Sequence, residues 1–138
     1  MKRKERAETA ASSGLTRQKK LPDAELEIMQ VVWECPCPAP RAEIEQRMAE
    51  RRPLAQSTLL TVLTRLAEKG FLRIEKDGRS SVYYPLISRE EYQAGQSRRF
   101  VDQVFGGSIS AFACALTASG LSREELDELR RLLEEDSL

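Results

Sequence analysis

The sequence contains no histidine. That absence removes imidazole general bases, Ser–His and Cys–His nucleophile pairs, and every zinc site built on imidazole. Cysteine is scarce: Cys35, Cys37 and Cys114 form an odd set that closes no disulfide framework and suits a reduced, cytoplasmic protein. No apolar run approaches the ~18 residues that span a bilayer, so no membrane insertion is expected. The basic, polar N-terminus carries no apolar stretch of the kind a secretory signal needs. No catalytic set stands out, so neither enzyme activity nor a cofactor is expected.

What is present is charge, unevenly spread. Bases and acids number 22 each, for a net charge of zero. Residues 1–20 hold seven bases and two acids, whereas residues 21–40 hold four acids and no base. Residues 41–85 carry nine bases against six acids, and residues 121–138 three bases against seven acids. A basic centre between acidic flanks suits contact with nucleic acid, although surface charge also fluctuates along any chain.

Residues 1–20 are polar, broken by Ser-Ser-Gly, and are expected to form a disordered basic tail. Such a tail adds sequence-independent attraction to phosphates, or is a leader without a role. A first helix is expected from about Pro22 to Glu34. Pro22 suits the first helical position, Asp23 and Glu25 the positive end of the dipole, and Leu26, Met29, Val32 and Trp33 share one face. The prolines of Cys35-Pro-Cys-Pro-Ala-Pro40 cannot continue it and hold an extended path. A second helix over Arg41–Arg52 places Ile44 and Met48 inward and ends at Pro53. A third, Ala55–Lys69, buries Leu59, Val62, Leu63 and Leu66 and stops at Gly70.

The period then changes. Phe71–Lys76 alternates apolar and polar, Asp77-Gly-Arg-Ser80 is a turn, and Ser81–Pro85 returns, which predicts a β-hairpin over 71–85. From Ser88 onward helices are expected at about 89–104, 107–118 and 122–135. Ser88 with Glu91, and Ser122 with Glu125, fit capping boxes. The fold class is therefore mostly α with a small β-hairpin: a winged helix-turn-helix followed by a helical dimerisation region. The domains expected are a tail over 1–20, a winged-helix DNA-binding domain over 21–87 and the dimerisation region over 88–138.

The third helix is aliphatic inside and carries Ser57, Thr58, Thr61, Thr64 and Arg65 outside. Small hydroxyl side chains let a helix approach a groove closely, their methyls can meet thymine methyls, and Arg65 can reach phosphate or guanine. Lys76 and Arg79 near the hairpin tip suit backbone contact beside that helix. The plainer alternatives are a hydroxyl-rich solvated face and a solvated turn. The C-terminal fifty residues hold many large apolar side chains. Among them Phe100, Val104, Phe105, Ile109, Phe112, Leu126, Leu129 and Leu133 are candidates for a homodimer interface, because three short helices cannot easily bury them all. Packing against the chain's own winged domain is the alternative. Cys35 and Cys37 are weak candidates for a soft metal ion, since no third ligand lies nearby in sequence.

Several motifs together resemble the penicillinase repressor family (BlaI, MecI and CopY). They are Leu21-Pro-Asp-Ala-Glu25-Leu-Glu-Ile-Met29-x-Val-Val-Trp33, Thr58-Leu-Leu-Thr61-Val-Leu-Thr-Arg65-Leu-x-x-Lys69-Gly70-x-Leu72, Lys76-x-Gly78-Arg79, Phe105-Gly-Gly-Ser108 and Leu121-Ser122-x-Glu124-Glu125-Leu126. The resemblance covers about residues 21–135. It implies a homodimeric repressor that binds a palindromic, double-stranded operator, with Thr58, Thr61 and Arg65 on the recognition helix and Arg79 on the wing. It also implies release by a membrane-bound sensor protease that cuts just before Phe100. Leu60 stands where the family often has a basic residue, and the C-terminal cysteine pairs of its copper-sensing branch are absent. Two other functions compete: a winged-helix module that binds protein, and a metal-responsive repressor using Cys35 and Cys37. The outward Thr/Arg face lacks the aromatic anchors of a protein hot spot.

Overall fold

The computed structural model describes residues 20–136, so the tail expected over 1–20 lies, apart from Lys20, outside the described residues. The chain divides into two compact units, Met1–Gln96 and Ser97–Leu138.

In the first unit the element order is α1 (Asp23–Glu34), β1 (Ala39–Pro40), α2 (Arg41–Arg51), α3 (Gln56–Glu68), β2 (Leu72–Asp77) and β3 (Ser80–Pro85). This is the expected winged helix-turn-helix, with three corrections. The sheet has three strands rather than two, in the order β1-β3-β2. The Pro-rich stretch supplies the extra strand: Ala39 pairs with Tyr83 and Pro40 with Val82. Prolines lack a donor but tolerate an edge, and that is where β1 lies. Second, Pro22 precedes α1 as its N-cap instead of occupying its first turn. Third, α1 buries a wider face than its expected stripe. Ile28 and Val31 are fully enclosed with Met29 and Val32, while Leu26 and Trp33 are only partly buried.

α2 and α3 hold to their expected stripes. Ile44 and Met48 are buried on α2, and Leu59, Val62, Leu63 and Leu66 on α3. Full burial of each such side chain contributes about 1.5–3 kcal/mol, so the stripe fixes which side of α3 faces out. Gly70 ends α3 with φ +90°, the left-handed C′ position that glycine adopts without strain. The hairpin closes through a two-residue loop, because Asp77 pairs with Ser80. Gly78 there has φ +68° and Arg79 does not share the positive φ, which is the pattern of a type II′ turn.

α4 (Arg89–Phe105) begins in the first unit, and its opening turns close that unit's core. Tyr92 is buried, meets the rings of Trp33 and Phe71 at 5.8 Å each, and its hydroxyl accepts a hydrogen bond from the Leu21 N–H at 2.8 Å. Trp33 Nε1 donates to the Ile87 carbonyl at 2.9 Å.

The second unit holds the end of α4, α5 (Ile109–Ala118) and α6 (Arg123–Asp136). The capping boxes form as expected. Ser88 Oγ accepts from Glu91 N–H while Glu91 Oε1 accepts from Ser88 N–H, and Ser122 and Glu125 do the same. Ser108 Oγ caps α5 by accepting from the Ala111 N–H. Gly106 and Gly107, both at positive φ, turn the chain between α4 and α5.

Candidate nucleic-acid interface

The buried stripe of α3 turns its other side to solvent. Ser57, Thr58, Thr61, Thr64 and Arg65 are all exposed there. Leu60 is half-buried and packs against the core. The Thr61 hydroxyl donates to the Ser57 carbonyl one turn back at 2.9 Å. Its proton is thus committed to the backbone, and its methyl and lone pairs remain for a ligand. At the start of α3 no side chain caps the first turn and no acid stands in it. Its leading N–H groups therefore face outward with the positive end of the dipole.

Electrostatics separate bases that sequence alone treats alike. Of the nine bases over 41–85, six have acidic partners: Arg41 with Glu45, Arg47 with Glu43, Arg51 with Glu34, Arg52 with Glu27, Lys69 with Glu25, and Arg73 with Glu75. Arg73 also lies over the Tyr84 ring at 4.2 Å. The remaining three, Arg65, Lys76 and Arg79, form no ion pair with another described residue and are exposed. They stand on α3, on β2 and at the hairpin tip. An unpaired, solvated cation can take a phosphate without first giving up a carboxylate, so these three are the candidates for anion contact.

Glu25, at the start of α1, has a charged partner besides the helix dipole. Its side chain is 9% exposed and accepts from Lys69 Nζ at 2.5 Å. Nothing local in the sequence signals this pair, since its members are 44 residues apart.

The two cysteines of the rigid loop differ in surroundings. Cys35 is buried in the core and Cys37 is exposed. Burial pushes the Cys35 thiol up, ahead of the opposing pull of Arg47, so the metal-binding thiolate is disfavoured there. Among the described residues no group of three or more His, Cys, Asp or Glu is placed to hold a metal ion.

The candidate interface residues of the second unit are largely uncovered. Phe100 is 49% exposed, Val104 and Ile109 58% each and Leu133 61%, while Phe105, Phe112, Leu126 and Leu129 are half-buried. Phe100, Phe105 and Phe112 gather edge to face at 5.5–6.3 Å. On α6 a groove of about 360 Å³ is lined by Leu126, Leu129, Arg130, Leu133 and Glu134. Among the described residues no single helix is long and apolar enough to cross a membrane.

The chain is similar to several known proteins. The model of the penicillinase repressor family matches residues 21–135. The penicillinase repressor of Bacillus licheniformis is 34% identical over 121 residues, which is 85% of this chain and 94% of the relative. The methicillin resistance regulatory protein MecI of Mammaliicoccus sciuri is 29% identical over 80% of this chain and 89% of its own. The solved DNA-binding domain of the repressor BlaI aligns with 56% of this chain and 93% of its own, at 32% identity and a TM-score of 0.49. With three helices, a wing and a family match that runs from the first residue of the core to the last helix, this chain belongs to the penicillinase repressor family.

Proposed function

We propose that this protein is a homodimeric transcriptional repressor of the cytoplasm that binds a palindromic operator. The winged-helix domain over 21–87 reads DNA and the helices over 88–138 hold the dimer together. α3 lies in the major groove with Ser57, Thr58, Thr61, Thr64 and Arg65 toward the bases and backbone, and Lys76 and Arg79 of the wing take flanking phosphates. The observation that carries this reading is the charge pairing: the three bases of the region left without a carboxylate are those on the outward face of α3 and on the wing. The names of the relatives, penicillinase repressor and methicillin resistance regulatory protein, support it. The uncovered apolar side chains of α4, α5 and α6 support the dimer, since a second copy would remove them from water.

Induction by a membrane sensor protease fits the family resemblance. The bond before Phe100 lies inside α4, so the helix must open locally before an extended segment enters a protease.

The test is Arg65→Ala in the full chain, with a duplex selected by the wild-type protein from a random-sequence pool. A gel-shift assay should show binding weakened about tenfold to a hundredfold, as for loss of a base or phosphate contact of about 1–3 kcal/mol. Sedimentation should show the dimer intact. Unchanged binding by an intact dimer refutes the assignment of this face.

A further inference from the structure

Glu25 is the only buried charged side chain among the described residues. A buried carboxylate without a counter-charge is strongly disfavoured, so its partner is held to it. That partner, Lys69, sits at a sensitive place. It is the C-cap of α3, and its N–H closes the last turn on the Arg65 carbonyl at 2.9 Å. The chain then leaves the helix at once. Gly70 takes a positive φ, the Phe71 N–H bonds to the Leu66 carbonyl at 2.9 Å, and β2 of the wing starts at Leu72. One ion pair thus ties the end of α3 and the root of the wing to α1.

Lys69 also has an alternative it does not use. It follows Arg65 by four positions, one turn further along nearly the same side, at the border of the buried stripe that ends in Leu66. Its side chain is 42% exposed. A lysine so placed could extend toward the face that carries Arg65, yet its ammonium turns inward to Glu25.

We propose that Glu25 and Lys69 are positioning residues for operator recognition, a claim that rests on the DNA-binding reading above. The pair seats α3 on α1 at the angle its base contacts require. It also withdraws the Lys69 ammonium from the phosphates, where it would bind every sequence equally well. Discrimination between operator and other DNA therefore depends on a lysine that does not touch DNA.

The test compares full-length variants on two probes, the selected duplex and a scrambled duplex of the same length, over a range of salt concentrations. Lys69→Met should lower the ratio of selected to scrambled affinity about tenfold, because small displacements of a contact constellation carry losses of that order. It should leave the slope of log affinity against log salt unchanged. Glu25→Gln frees Lys69, so it should lower the same ratio while steepening the slope by up to about one. Lys69→Arg keeps the pair and should hold the ratio within about twofold of wild type. A slope shallower by about one in Lys69→Met means that Lys69 contacts a phosphate, and the proposal falls. Should the bare carboxylate of Lys69→Met prevent folding, the double variant Glu25→Gln, Lys69→Met, which buries no charge, decides. A lowered ratio at a wild-type melting temperature supports the proposal, and a wild-type ratio overturns it. Arg65→Ala run alongside separates the two claims. If it changes neither affinity nor slope, the DNA-binding face itself is misassigned. If it weakens binding while the Lys69 variants keep their discrimination, only the positioning role is lost.

Discussion

In the unit ending at Gln96, Ile28, Met29, Val31, Ile44, Leu63 and Leu66 are each withdrawn completely from water. In the unit that starts at Ser97, Val101 is the only buried residue among those described, and α5 buries none of its side chains. Helix starts are no poorer in the second unit: α6 carries the same Ser/Glu capping box as α4 and Ser108 caps α5, whereas α1, α2 and α3 have no side-chain cap. Capping therefore does not account for the closed core of the first unit. What differs is where the apolar faces go. Short helices are marginal in water without a packed face, so the second unit needs a surface that its own three segments do not supply.

The largest effect expected from this contrast follows from ending the chain after Ser97. The shortened protein should be monomeric by sedimentation equilibrium. It should bind the selected duplex about 10²–10⁴-fold more weakly, because the second half-site is no longer tethered. Its thermal transition should persist. A shortened chain that still sediments as a dimer breaks the comparison at once. Next comes a paired substitution. Leu63→Ala in the first unit should cost about 2–5 kcal/mol, as for other large-to-small changes in a packed core, and the cost should not depend on protein concentration. Leu133→Asp in the second should leave the first unit's melting intact and shift the monomer–dimer transition, followed by sedimentation, to higher protein concentration. Equal and concentration-independent destabilisation by both would mean that the second unit closes a core of its own.

The unequal legibility of the two regions in sequence has a physical source. The stripe Leu59, Val62, Leu63 and Leu66 was readable because helical period is local, and it fixed the outward hydroxyl face along with it. The hairpin was readable from alternation and from Gly78. β1 was not, because two residues have no period and their pairing with Val82 and Tyr83 is set forty residues away. The nine bases over 41–85 looked alike in sequence. Their division into six paired and three unpaired required the placement of Glu25, Glu27 and Glu34 on α1. The Thr61 hydroxyl, spent on the Ser57 carbonyl, was equally invisible. In the second unit the reverse holds. Caps and helices were plain, and the apolar surplus was visible as composition, but composition does not say which side chains a fold leaves uncovered.

The smallest effect sharpens the comparison by pH. Glu34 ends α1 and accepts a hydrogen bond from Arg51 of α2, with Arg89 of α4 3.9 Å away. The Arg51 hydrogen bond holds its carboxyl below the usual range, the charges of Arg51, Arg89 and Arg47 add to this, and partial burial opposes it. A depressed carboxyl contributes stability that is fully present above its unfolded value and is lost as pH falls through the folded one. Acidification below about pH 5 should therefore soften the junction of α1, α2 and α4 in wild type. Glu34→Gln should be slightly less stable near neutrality, by under about 1 kcal/mol for so exposed a pair, and should show a flatter decline in acid. The measurement is the melting temperature of the first unit between pH 7 and pH 3, with and without the substitution. Parallel curves would mean that Arg51 and Arg89 hold the junction without Glu34. Converging curves place part of the first unit's acid sensitivity at this carboxylate. The junction would then owe part of its stability to charge, in a unit whose core is closed by apolar packing.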